Sequence, residues 1–149
     1  MFWNPPEKFV WTHPDPVLPC QDISSLRIYE SHVGMAQEGG QIGSYKQYID
    51  NILPRIKQAG YTAIQLMAVQ EHSYYGSFGY HVTGFFGVTS RSGTPDEFKA
   101  LVDKAHSLGL KIIVDLVHSH ASSNVMDGIN KFDGTDHCYS HAGPRGYHS

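Results

Sequence analysis

The 149-residue sequence has few cysteines, no long apolar run and no excess of positive charge. Its two cysteines, Cys20 and Cys138, lie far apart without CxxC spacing, so buried or free thiols are favoured over a disulfide or a metal site. No run of about 18 apolar residues occurs, and the N-terminus lacks the charged start and apolar stretch of a secretory signal. We therefore expect a soluble, cytoplasmic protein with no membrane partner.

The balance of charged residues bears on whether the protein binds nucleic acid. The chain has 11 basic and 14 acidic residues, a formal net charge of -3 and no basic cluster, which argues against binding to nucleic acid. Ten histidines are present, and His137, His141 and His148 crowd the C-terminal end. Their irregular spacing favours loop histidines over zinc ligands. We therefore expect no metal ion and no other cofactor.

Five prolines mark the beginning of the chain. Proline fixes φ and cannot donate a backbone hydrogen bond, so long helices and strands are disfavoured there. We expect residues 1–25 to form an extended lead-in segment and residues 26–149 to form the folded domain.

A first strand-helix repeat follows the lead-in. Residues 26–33 alternate between apolar and polar side chains and include β-branched residues, which predicts a strand. Ser44 and Gln47 have the spacing of a capping box, so a helix should begin there and end at Gly60. Pro54 lies inside the helical pattern, where its ring presses on the preceding turn, so we expect a kink or a break.

A second repeat and a third strand complete the pattern. Residues 61–69 are mostly apolar and predict a buried strand, and Thr94, Pro95 and Glu97 match the start of a helix. Residues 111–117 are typical of a strand covered on both faces of a parallel sheet. The order predicts an α/β fold. Three strands cannot close a barrel, so the chain is either a small open sheet or part of a larger fold.

The loop of residues 70–93 is long and aromatic. Its 24 residues are too aromatic for disorder, and loops after the carboxyl ends of parallel strands carry ligand sites. Aromatic faces and hydroxyls suit sugar rings, but the same rings could form a small core beneath the loop. We expect most of them to pack and one or two to face a ligand. These rings are Tyr74, Tyr75, Phe78, Tyr80, Phe85 and Phe86.

Asp115 interrupts the apolar third strand. An unpaired buried carboxylate would reduce the free energy of unfolding by several kcal/mol. Asp115 should therefore have a cationic or hydrogen-bonding partner. A catalytic role would need a second carboxyl, and Glu30, Glu71 and Asp133 are candidates that no spacing selects. We favour a structural pair with an arginine.

His118 and His120 form an H-x-H pair where the third strand ends. Side chains alternate along a strand, so both rings could point the same way and ligate a metal ion, as in a metal-dependent hydrolase barrel. That alternative needs further ligands from later strands, and none is visible in the sequence.

Six motifs together resemble the eukaryotic-type 1,4-α-glucan (glycogen or starch) branching enzymes of the α-amylase superfamily, from about Phe2 to Ser149. They are RIYESHVG, EHSYYGSFGYHVTGFF, SRSGTP, DLVHSH, FDGTD and GPRGYH. The resemblance implies a (β/α)8 TIM barrel of which this chain supplies the first three βα units, incomplete by itself.

The resemblance also implies roles for three residues. Asp115 and His120 match the first signature region of the superfamily, with Ser119 in place of a frequent Asn. By this resemblance His120 would hydrogen-bond the sugar on the non-reducing side of the scissile bond, and Tyr80 would stack on the same sugar. Asp115 would be the structural partner of an arginine near the nucleophile.

The chemistry implied by the resemblance is a retaining double displacement on an α-1,4-glucan such as glycogen, amylose or amylopectin. An Asp attacks the anomeric carbon, a Glu protonates the leaving oxygen, and the glucan passes to a glucose 6-hydroxyl. Those carboxylates follow later strands, so no catalytic residue is expected within residues 1–149. The chain could instead be a carbohydrate-binding fragment without activity, and a plastid location would fit a plant-like source.

Overall fold

The computed structural model describes residues 3–16, 25–119, 121–124, 126, 131, 133–135, 141–144 and 146–148. It divides into two compact units. Unit 1 comprises Met1–Met67 and Ser90–Val114, and unit 2 comprises Ala68–Thr89 and Asp115–Ser149. The strands and α-helices are, in chain order, β1 Ile28–His32, α1 Tyr45–Gln47, α2 Leu53–Gln58, β2 Ala63–Met67, β3 Gln70–Glu71, β4 Gly84–Val88, α3 Pro95–Ser107, β5 Lys111–Val114, β6 His141–Gly143 and β7 Gly146–His148.

A parallel sheet of order β1-β2-β5 forms the centre of unit 1. Ile28 pairs with Ala63, which pairs in turn with Lys111, so the three carboxyl ends lie at one edge of the sheet. Helix α3 contacts both β5 and the preceding helical segments, which places the helices on one face. The three predicted strands are all present, each shorter than its apolar run.

The third strand departs from its prediction in length and in burial. It ends at Val114, the last residue that pairs with β2, so Asp115 lies beyond the strand and not inside it. Ile113 and Leu116 are 38% and 51% exposed, so coverage on both faces was a wrong expectation for the described residues.

A π-helical turn accommodates Pro54 in the first helix, where the sequence predicted a kink or a break. Ser44 caps α1 with a full capping box, in which its Oγ accepts from the Gln47 amide and its amide donates to Gln47 Oε1. A π-helical turn, Tyr48–Ile52, then widens the chain before α2 begins, and the Leu53 amide donates to Tyr48 O. Pro54 thereby falls in the first turn of α2, where a missing N–H leaves no bond unmade.

Helix α3 begins as its sequence predicts. Thr94 Oγ1 accepts from the Glu97 amide at 3.2 Å, and the Thr94 amide donates to Glu97 Oε2 at 2.7 Å. Leu101 and Ala105 are fully buried, and burial of a leucine side chain contributes about 1.5 to 3 kcal/mol. No described helix is long and apolar enough to cross a bilayer.

The core of unit 1 consists of buried side chains from the sheet and the helices. Burial raises the pKa of the Tyr48 hydroxyl to about 12. The fully or nearly fully buried apolar residues are Val33, Tyr45, Tyr48, Leu53, Ile56, Ala63, Ile64, Leu66, Leu101, Ala105 and Leu110.

Residues 3–16 of the lead-in have no helix or strand and are bonded to α3. The Asp103 carboxylate accepts from the Thr12 amide at 2.8 Å, the Thr12 hydroxyl and the His13 amide at 2.9 Å, and it lies 3.0 Å from His13 Nδ1. These bonds, the Thr12 hydroxyl first, hold the pKa of Asp103 well below its usual range. Asp15 adds an ion pair to Lys111 at 2.8 Å. We call the contact of Thr12 and His13 with Asp103 the lead-in clasp.

Candidate functional site

The aromatic loop is a folded hairpin within unit 2. Strands β3 and β4 pair antiparallel, and the carbonyl of Glu71 accepts from both the amide and the hydroxyl of Thr83, at 2.8 and 3.1 Å. The Thr89 amide donates to Val69 O at 2.8 Å and closes the base of the hairpin. The prediction that this loop is ordered is therefore confirmed.

A tight turn in the loop between β3 and β4 leads into Tyr80. Phe78 and Gly79 adopt positive φ values of 54° and 91°, and a Cβ on Gly79 would lie 2.6 Å from the Cα and Cβ of Ala68. Only glycine fits this close approach without strain. The Tyr80 amide then donates to Ser77 O at 3.0 Å, which fixes the backbone while the residue remains 42% exposed. The ring can therefore offer a flat face to a ligand.

The aromatic side chains of the hairpin are more exposed than the sequence predicted. Four of the six are exposed, so the expectation that most would pack was wrong. Polar contacts to the backbone, and not an aromatic core, hold the hairpin together. The exposed four are Tyr74, Phe78, Tyr80 and Phe86.

Gln70 is a functional candidate that sequence reasoning missed. Its side chain is buried, and it bonds to two backbone groups: Oε1 accepts from the Val117 amide at 2.7 Å, and Nε2 donates to Phe85 O at 3.3 Å. The buried ring of His72 places Nδ1 2.8 Å from Gln70 O. A polar residue beside a predicted strand carries no sequence signal that distinguishes this role from an exposed position.

The segment after β5 lies against the same hairpin. Its Val117 amide is held by Gln70, the His118 ring lies 6.3 Å from the Phe85 ring, and Ala121 forms a parallel bridge with Val82. The Ser122 amide donates to Val82 O at 2.8 Å. The segment is therefore fixed to the hairpin at Val117 and again at Ala121 and Ser122.

Two predicted site residues have different outcomes. Tyr80 is exposed in the loop between β3 and β4, two positions before Val82. His120 lies outside the described residues, although its neighbour Ala121 pairs with Val82. The predicted approach of these two residues to one sugar therefore stays a prediction, supported by the pairing of their chain neighbours.

Asp115 is half-buried in unit 2. The ion pairs found within the described ranges do not include it, so its arginine partner stays a prediction. The carboxyls considered as catalytic partners have other contacts: Glu30 Oε1 accepts from Gln65 Nε2 at 3.3 Å, and Asp133 accepts from the Thr135 amide at 3.0 Å.

The metal alternative gains no support from the described part of the chain. No three His, Cys, Asp or Glu side chains there are grouped so that they could hold a metal ion. His118 is exposed beside Phe85, and His120, its partner in the H-x-H motif, is not among the described residues.

The fold has counterparts among known proteins. Residues 28–139 match the family model for the alpha-amylase catalytic domain, and the chain belongs to the alpha-amylase family. A Salmonella typhimurium protein assigned as an alpha amylase superposes with a TM-score of 0.71 and 26% identity over 85% of this chain and 20% of that chain. The predicted α/β fold, an incomplete (β/α)8 barrel, is thereby confirmed.

Closer relatives share a single name. The chain is 56% identical to the 1,4-alpha-glucan-branching enzyme of Rhizophagus irregularis, over 99% of this chain and 21% of that protein. It is 57% identical to 1,4-alpha-glucan-branching enzyme 2-2, chloroplastic/amyloplastic, of Arabidopsis thaliana, over 99% of this chain and 18% of that protein. The predicted resemblance is confirmed. The chain spans about a fifth of the length of these curated relatives.

Proposed function

We propose that these 149 residues are part of a 1,4-α-glucan branching enzyme and form one side of its donor-sugar site. The enzyme would cleave α-1,4-glucan chains of glycogen or starch and transfer them to a glucose 6-hydroxyl. The observation that carries the proposal is the exposed ring of Tyr80 on a fixed backbone, in the hairpin that also anchors the segment after β5. An exposed, preorganised aromatic face suits the apolar face of a glucose ring.

The proposal assigns a separate role to each site residue. Tyr80 stacks on the donor sugar, His120 hydrogen-bonds the same sugar, and Asp115 pairs with an arginine and supports the site. Residues 26–149 are then the first part of a catalytic barrel, and residues 1–25 lead into it. The location would be cytoplasmic, or plastidic as the name of the Arabidopsis relative states for that protein.

The reacting groups would come from beyond these residues. A retaining displacement needs a nucleophilic carboxylate and an acid about 5 to 5.5 Å apart. By the family resemblance, these two carboxylates follow later strands of the barrel. This chain's own residues therefore bind and orient the donor glucan but do not attack it.

Iodine staining of amylose tests the proposal. The full-length enzyme that carries this chain should reduce the staining as branches form, whereas the 149-residue chain alone should leave it unchanged. Branching by the isolated chain, or none by the full-length protein, would contradict the proposal. Calorimetry of the isolated chain with maltooligosaccharides examines the alternative of a carbohydrate-binding fragment, which requires binding without turnover.

A further inference from the structure

The side chain of Gln70 connects three stretches of unit 2. It belongs to β3, donates to β4 through Phe85 O and accepts from the segment after β5 through the Val117 amide. We propose that Gln70 is a positioning residue for the donor-sugar site, because it holds the segment of residues 117–122 against the hairpin that carries Tyr80. The proposal rests on the proposed function.

The geometry at Gln70 leaves the amide little freedom. The residue is 5% exposed, and each end of its carboxamide meets a backbone group of opposite polarity, at 2.7 and 3.3 Å. A buried backbone amide needs a partner, and a neutral carboxamide satisfies a donor and an acceptor at once without adding charge. The Val117 amide is thereby held by a side chain 47 positions earlier in the sequence.

A second anchor lies at the other end of the same segment. Ala121 bridges Val82, and the Ser122 amide donates to Val82 O at 2.8 Å. Val82 is two positions from Tyr80. Both ends of the segment are therefore fixed to the hairpin, and releasing the Val117 end should let residues 118 and 119 move relative to Tyr80.

Gln70→Leu in the full-length enzyme removes both hydrogen bonds with little change in side-chain size. We expect the KM for the donor glucan to rise about tenfold with kcat within about twofold, the pattern of lost ground-state and transition-state binding alike. Hydrogen exchange at the Val117 amide should accelerate. A merely structural role would reduce the active fraction instead, so apparent kcat would fall while KM stayed constant.

Gln70→Glu should restore both hydrogen bonds only when the new carboxyl is protonated. A protonated carboxyl has one donor and one acceptor, like the carboxamide, whereas the ionised form cannot donate to Phe85 O. Burial raises the pKa of such a carboxyl, so KM relative to wild type should be nearer normal at about pH 5.5 than at about pH 8. Glu71, His72 and His118 are the nearby titratable groups, and the ratio to wild type at each pH cancels their contribution.

Gln58→Leu is the matched control, since Gln58 is exposed on α2 in unit 1. It should change neither KM nor the exchange of Val117. An unchanged KM and unchanged Val117 exchange in Gln70→Leu would overturn the inference, as would a Gln70→Glu variant without pH-dependent recovery. If Gln70→Leu does not fold, the pH dependence of Gln70→Glu decides. If the wild-type protein does not branch glucan, the proposed function fails, and maltooligosaccharide affinity with Val117 exchange decides on the positioning role.

Discussion

Different interactions stabilise the interior of unit 1 and the hairpin of unit 2. In unit 1 the stabilising groups are apolar and fully buried, such as Ile64, Leu66 and Leu101. In unit 2 the hairpin depends on directed polar bonds, those of Gln70 and Thr83 to backbone groups, and on a close approach at Gly79. Apolar packing tolerates volume-conserving changes, whereas a directed hydrogen bond requires particular atoms.

This difference suits a division between framework and ligand display. The exposed rings of the aromatic loop belong to unit 2, where they contribute little to a core. Substitutions of surface rings in unit 2 should therefore alter binding with little effect on folding. Substitutions at the caps and the clasp of unit 1 should alter local stability with little effect on binding.

The largest effect is expected for Tyr80→Ala in the full-length enzyme. Loss of the stacking face should raise the KM for glucan by about tenfold, equivalent to about 1.4 kcal/mol, without changing the unfolding temperature. Steady-state branching kinetics and thermal unfolding measure the two quantities. Trp11→Ala is the control, because Trp11 is an exposed aromatic residue of unit 1; an equal loss in both variants would erase the distinction between the units.

Gly79→Ala should have the next largest effect on glucan affinity. The added Cβ meets Ala68 at 2.6 Å in a backbone with φ of 91°, which should destabilise this turn by about 1 to 3 kcal/mol. Limited proteolysis within residues 72–83 and glucan affinity report the change. Gly40→Ala is matched, since a Cβ there meets nothing within 4 Å. Equal proteolysis rates for the two variants would contradict this account.

Thr94→Ala should act within unit 1. Removal of an N-cap costs about 1 kcal/mol, because the Glu97 amide loses its acceptor. Amide exchange at Glu97 should accelerate while the KM for glucan stays constant. Ser107→Ala, which removes a hydroxyl bonded to Lys104 O at the other end of α3, is the comparison variant and should leave Glu97 exchange unaffected.

The lead-in clasp should give the smallest and most local effect. Folding lowers the pKa of Asp103, so the contribution of the clasp is complete above about pH 4 and declines as the pH falls below it. Asp103→Asn should weaken the clasp at neutral pH. Fluorescence of Trp11, in a Trp3→Phe background, would follow its release. A signal independent of both the substitution and the pH would refute the clasp.

Local contacts explain which parts of the fold were predictable. Both capping boxes join residues three positions apart, so the sequence contains the whole interaction. The end of the third strand was not predictable, because it depends on pairing with β2 and on Gln70, which lies 47 positions before Val117. The alternation of side chains along one strand does not reveal partners that are distant in sequence.

The candidate site divides in the same way. Tyr80 was identified from a motif, but its exposure depends on the contact of Gly79 with Ala68 across the hairpin. Gln70 had no recognisable signal, since burial of an amide beside a strand depends on the chain that covers it. Residues that contact ligand are thus easier to find in a sequence than residues that hold them in place.

The open sheet of unit 1 has a consequence during synthesis. Within the described residues, β1 and β5 each pair on one side only, so their outer backbone groups can pair with any other extended chain. A ribosome would release these three strands before the later strands of the barrel. We therefore expect the nascent chain to be a chaperone client until later strands cover both edges.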